Sequence, residues 1–192
     1  MSKHAAPDGN VFISLRPSPD LRDRLTAISD RLRAWELPAT WTHPEDFHLT
    51  MLFLGPLDDE AAGWIPAAVD DFARALAAPR GLRLAGLGAA GGSTVPQTVF
   101  AAVDDPDRIC AAIHRDLAEV LDESTNPSFK PHFTLARPKA QSTNLPLMRD
   151  WPHLLEAHGL ADWGECSFDA GQVLRSQPTI PRYQALATWP LR

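Results

Sequence analysis

His48 and Thr50, and again His132 and Thr134, place an imidazole two residues before a hydroxyl inside an apolar run, "FHLTMLFLG" and "KPHFTLARP". Along a β-strand, residues i and i+2 point to the same face, so each run would present its histidine and threonine together. The composition, with 7 histidines in 192 residues, predicts a His-x-Thr match only about 0.4 times by chance. One such pair alone reads more naturally as a core histidine satisfied by a backbone carbonyl. Two pairs closing two similar segments reverse that reading, because an unpartnered imidazole or hydroxyl buried in an apolar strand costs about 1–3 kcal/mol.

Two imidazoles and two hydroxyls facing one cleft suit phosphodiester chemistry. An imidazole with an ordinary pKa near 6.5 is available in both forms at neutral pH, so one ring can take a proton from water while the other gives one to the departing oxygen. Threonine hydroxyls would donate to the non-bridging phosphate oxygens as charge builds there, and Arg137, five residues after His132, would add a cationic donor. Nothing in this set calls for a metal or another cofactor.

The elements that must position these residues are legible from periodicity. "VFISL" (11–15) reads as a strand, and "PSPD" starts a helix with Leu21, Leu25, Ile28 and Leu32 on one face. "FHLTMLFLG" is a strand ended by Gly55-Pro56, followed by a helical stretch interrupted near Pro66. "TVFAAV" (98–103) is a further strand, after which Asp105-Pro106 predicts a helix start and Ile109, Ile113, Leu117 and Val120 a buried face. "HFTLA" follows, then an irregular segment over 138–163 with room for one short helix, then strands at "GQVLRS" and "YQALATW". Strand, helix, strand thus occurs twice, at 11–54 and 98–136, each time ending in a histidine strand. That order predicts an α+β protein.

Composition narrows the setting. A chain of this length with 44% hydrophobic residues buries a proper core, and a single domain spanning 1–192 is expected, with residues 1–10 a flexible tail. No membrane-spanning or signal-like run is visible, which predicts a cytoplasmic protein, and a monomer is expected. Cys110 and Cys166 lack metal-ligand spacing and read as buried, reduced thiols. A net charge of -6 argues against a broad nucleic-acid-coating surface but permits a pocket for one phosphate or one RNA end.

Other signals carry less. "GLGAAG" at 86–91 matches a dinucleotide-binding fingerprint, but "GSTVPQ" follows where a helix should open, so it reads as a flexible connection between strands. His114, beside Arg115 and Asp116, reads as solvated on the polar side of its helix. Glu45 and Asp46 read as part of a turn, His43 is not placed like the motif pair, and His153 and His158, in the irregular segment, lack the further ligands of a metal site. Phe129 and Lys130 are candidates to stack on a base and touch phosphate, although Phe129 fits a core position equally well.

The chain resembles the 2H phosphoesterase superfamily and, within it, the LigT-like RNA 2',3'-cyclic phosphodiesterases of the 2'-5' RNA ligase family. The resemblance runs from about Val11 to the C-terminus through "VFISLRPSP", "WTHPEDFHLTMLFLG", "VPQTVFAAV", "FKPHFTLAR" and "VLRSQPTIPRYQALATWPL". It implies a bilobal, pseudo-symmetric fold in which two antiparallel sheets face a central cleft, with helices outside and one motif from each lobe. It further implies hydrolysis of a terminal 2',3'-cyclic phosphate to a 2'-phosphomonoester, with reversible 2'-5' ligation in some members. On that pattern His132 is the proton acceptor and His48 the proton donor, while Thr50, Thr134 and Arg137 bind the phosphate. Pseudo-symmetry leaves the two histidine roles interchangeable until a substrate pose is known. The segments 86–97 and 138–163 depart from the family pattern, which bears on RNA preference more than on chemistry. The same chemistry on a small cyclic nucleotide, and a silent RNA-end-binding module, are the competing readings.

Overall fold

The computed structural model describes residues 9–34, 38–91, 96–139, 153 and 157–192. Most of the expected N-terminal tail, and any short helix over 140–152, lie outside the described residues; Asn10 itself already belongs to the first strand. In chain order the elements are β1 (Asn10–Pro17), α1 (Pro19–Arg33), β2 (Ala39–Trp41), β3 (Leu49–Pro56), α2 (Asp59–Ala68) and α3 (Asp70–Ala75). They continue with β4 (Arg83–Ala90), β5 (Thr98–Asp104), α4 (Ile109–Val120), β6 (His132–Pro138), β7 (Asp162–Glu165), β8 (Phe168–Ser176) and β9 (Tyr183–Pro190). The fold is α+β, with helices packed on a large antiparallel sheet of order β7-β4-β5-β6-β3-β1-β8-β9 and β2 added beside β6.

The two expected sheets are joined into one. Four strands on each side form extended ladders, but β3 and β6 meet through a single register pair, Leu49 with Phe133. Both of these side chains are fully buried, which pins the junction from below. The helices brace it from both directions. From α1, the Arg24 guanidinium reaches the other half and donates to the carbonyls of Trp163 (3.0 Å) and Glu165. From α4, which follows β5, His114 reaches back to β3 and meets the Met51 carbonyl at 2.7 Å.

Local sequence explains most of these elements. Ser18 caps α1 by accepting from the Leu21 N–H, Pro19 opens the first turn, and Leu21, Leu25, Ile28 and Leu32 are all buried, each contributing about 1.5–3 kcal/mol. The helix after β3 breaks at Val69, three residues beyond Pro66. Before α4, the Asp105 carboxylate accepts from the N–H groups of Ile109 (2.7 Å) and Cys110 (2.9 Å), so the helix starts three residues after Pro106, beyond the expected position. Cys110 and Cys166 are buried and unpaired, and burial pushes both thiols up to about 12, as inert core groups.

Three expectations need correction. His114 is buried, its Nδ1 meeting the Met51 carbonyl and its Nε2 accepting from the Asn126 N–H at 2.9 Å. It belongs to the packed face of α4 with Ile113 and Leu117, whereas Val120 is exposed. The third concerns "GLGAAG", most of which lies in β4, paired to β5 and β7, and is no flexible connection. Its glycines hid the strand because they fill contacts a side chain would block. A Cβ on Gly88 would stand 2.3 Å from the Phe100 ring, and Gly86, at φ +85°, lies against the Gly159 backbone.

Replacing Gly88 by alanine should therefore destabilise the fold by about 1–3 kcal/mol, because the Phe100 ring must move. Gly63, on α2 with open space around it, should gain up to about 1 kcal/mol from the same substitution. Urea unfolding of the two variants measures both.

Candidate active site

The junction of the half-sheets is where the two motifs meet. His48 precedes Leu49 and His132 precedes Phe133, so each histidine stands next to the single pair that joins β3 to β6. Counted outward from that pair, the antiparallel register sets His48 beside Thr134 and Thr50 beside His132. Leu49 and Phe133 point into the core, and alternation turns their neighbours to the opposite face, where all four motif residues are half-buried.

Each imidazole is oriented by the same device. His48 Nδ1 lies 2.7 Å from the Asp46 carbonyl and His132 Nδ1 lies 2.8 Å from the Lys130 carbonyl. A carbonyl only accepts, so Nδ1 carries the proton in both rings, and Nε2 is left to accept or deliver a second one. Each ring also tilts against a phenylalanine at a centroid distance of 4.8 Å, Phe12 beside His48 and Phe100 beside His132. Tyr183 meets His48 edge-on at 4.8 Å and Phe12 edge-on at 5.2 Å, so the three rings form one cluster.

A short 3-10 turn over Pro44–Asp46 delivers the chain to His48. The expectation of a turn at Glu45 and Asp46 holds, but Asp46 is also buried and accepts from the Arg182 main-chain N–H at 2.8 Å, tying β3 to the β8–β9 hairpin. Burial holds its carboxyl above the usual carboxylate range. Arg137 lies on β6 opposite Thr40 of β2, exposed and without an ion pair among the described residues. Together with Tyr183 it lines a cleft of about 490 Å³ that includes Trp41, Ile180 and Arg182; none of the four motif residues is on that lining, and the cleft adjoins them through Tyr183, which packs on the His48 ring.

The other candidates divide. The Lys130 carbonyl orients His132 while its side chain is exposed. Phe129 stacks flat on buried His114, 4.5 Å between centroids, and packs against the core, which is the alternative its sequence position allowed. Sequence reasoning missed Phe12, Phe100 and Tyr183. A signal for the first two was present, since both histidine-bearing repeats open with a Val-Phe strand, Val11-Phe12 and Val99-Phe100.

Fold and site together define an α+β protein with two histidine motifs brought to one sheet junction. The family model described as the 2'-5' RNA ligase superfamily matches residues 17–169, and the chain belongs to that family. An RNA 2',3'-cyclic phosphodiesterase of Geobacillus stearothermophilus is 34% identical over 162 residues, which cover 79% of this chain and 48% of the relative. The chain thus spans about half the length of that curated relative. Among solved structures, the TT0787 protein of Thermus thermophilus superposes with a TM-score of 0.68 at 25% identity, covering 95% of this chain and 98% of its own. Escherichia coli LigT in apo form superposes with a TM-score of 0.62 at 19% identity, covering 97% and 99%, and shares the fold.

Electrostatics set His48 apart. Burial, with the nearby charges of Arg137 and His132, lowers its pKa from 6.5 to about 4. An unfolded chain takes up this proton below 6.5, whereas the folded chain does so only near 4, so this contribution is complete above 6.5 and is lost as pH falls between the two values. The loss amounts to at most about 3 kcal/mol. Asp46 works in the opposite sense, regaining stability as acid protonates its raised carboxyl. Denaturant unfolding between pH 7 and pH 4 should therefore show a steeper decline for the wild type than for H48N, and parallel curves would refute the assignment.

Proposed function

We propose that the chain opens RNA 2',3'-cyclic phosphate ends to 2'-phosphomonoesters by a two-histidine acid/base reaction that uses no metal or other cofactor. The observation carrying this reading is the duplicated imidazole arrangement, in which both Nδ1 atoms are fixed by backbone carbonyls and both Nε2 atoms remain for proton transfer at one junction. The activity named for the Geobacillus relative supports the choice of substrate.

In this reaction His132 Nε2 takes a proton from water as the water oxygen bonds to phosphorus. The bond from phosphorus to the 3'-oxygen breaks, and His48 gives its proton to that oxygen, leaving a 2'-phosphate and a 3'-hydroxyl. Thr50, Thr134 and Arg137 hold the non-bridging oxygens. His48 is neutral before substrate arrives, so a donor role needs a proton taken up with the substrate. An anionic phosphate beside Arg137 favours this uptake by offsetting one of the charges that depress His48. A 5'-hydroxyl in place of water would join the ends by a 2'-5' linkage, which is the ligase reading of the same site. Both motifs come from one chain, in keeping with a single two-lobed domain acting as a monomer, and two buried thiols suit a reducing cytoplasm.

Incubation in EDTA with a short RNA ending in a 2',3'-cyclic phosphate should yield the 2'-phosphate, with H48A and H132A each slower by at least about 100-fold. Persistence of the cyclic end would refute the proposal. The roles separate on an aryl phosphodiester, whose phenolate departs without a proton. H132A should be slow on it and H48A much less impaired; the reverse pattern would exchange the two assignments.

A further inference from the structure

The cleft that adjoins His48 through Tyr183 contains more positive charge than one phosphate requires. Arg137 and Arg182 both line it, and neither guanidinium has a hydrogen-bond or ion-pair partner among the described residues. The Asp46 carboxylate on the same lining accepts from the main-chain N–H of Arg182 and feels the Arg182 charge, but makes no ion pair with either side chain. Arg182 is nevertheless held in place, since its carbonyl also accepts from the Gln177 N–H at 2.7 Å. A fixed backbone carrying a guanidinium with no hydrogen-bond or ion-pair partner among the described residues, in a protein of net charge -6, points to an anion that comes and goes.

The kinds of group on the cleft lining indicate which anion. Arg137 adjoins the histidines through its charge on His48, and Tyr183 touches the His48 ring. Trp41 and Ile180 supply apolar surface on the same lining, Ile180 being 64% exposed. Two cationic groups and an apolar wall match two phosphates separated by one nucleoside. In an RNA end the second phosphate is the phosphodiester on the 5' side of the terminal nucleotide, and a free cyclic mononucleotide lacks it. Resting on the function proposed above, we infer that Arg182 binds this 5'-side phosphate and makes the site prefer an RNA end to a cyclic mononucleotide.

The test compares uridine 2',3'-cyclic phosphate with the dinucleotide UpU ending in a 2',3'-cyclic phosphate, for the wild type and R182A. The wild type should favour the dinucleotide. R182A should lose about 10-fold in kcat/KM on the dinucleotide, mainly through KM, with a much smaller loss on the mononucleotide. Rising salt should narrow the wild-type preference more than that of R182A. R182K should recover part of the dinucleotide activity, which a purely structural defect would not allow. Equal losses on both substrates, or no wild-type preference and no effect of R182A, would overturn the inference while leaving the proposed reaction intact. If the wild type opened neither substrate, the proposed reaction itself would fail, and this inference with it.

Discussion

One antiparallel pair, Leu49 with Phe133, joins the two halves of the sheet, and the geometry of the site depends on it. Two strands meeting at a single pair contribute little cohesion of their own. The halves stay together because β2, in the segment leading into β3, pairs with β6, and because each connecting helix bonds to the opposite half: Arg24 of α1 to the carbonyls of β7, and His114 of α4 to the Met51 carbonyl of β3. Fully buried side chains beneath the junction, Leu49, Met51, Phe133 and Leu135, complete the support. Beyond that pair β3 and β6 share no further register partners, and the cleft lies to one side, between the β2 segment, Arg137 and the β8–β9 hairpin.

His114 shows how polar groups take part in this bracing. Its ring receives a hydrogen bond from the Asn126 main chain on one nitrogen, meets a β3 carbonyl with the other, and stacks on Phe129. Phe129 directly precedes Lys130, whose carbonyl orients His132. One buried imidazole therefore connects the strand carrying Thr50 with the segment that aims the second histidine. Both nitrogens are satisfied, which is what allows a polar ring to sit in the core.

The histidine strands, the amphipathic helices and the duplicated order were readable because each rests on short-range periodicity. What the sequence hid depended on partners distant in the chain. β4 was masked by glycines whose purpose is to admit Phe100 and the Gly159 backbone. β2 and β7, of 3 and 4 residues, are too short to show alternation. His114 directly precedes the charged pair Arg115 and Asp116, and only the fold reveals the carbonyl waiting for it. Tyr183 meets His48, and Arg182 meets the Asp46 carboxylate, through contacts that each span more than a hundred residues, for which local pattern offers no cue.

The carbonyls that orient His48 and His132 each belong to the residue two positions earlier in the same strand entry. Proton placement on each ring is thus decided locally, whereas the separation between the rings is decided by the whole assembly of sheet and helices. The two properties can vary independently. Changes in the helices or at the junction would widen or narrow the gap, and so alter the size of ester accommodated, while both tautomers stay as they are. A scaffold of this kind can acquire new substrates without relearning its chemistry.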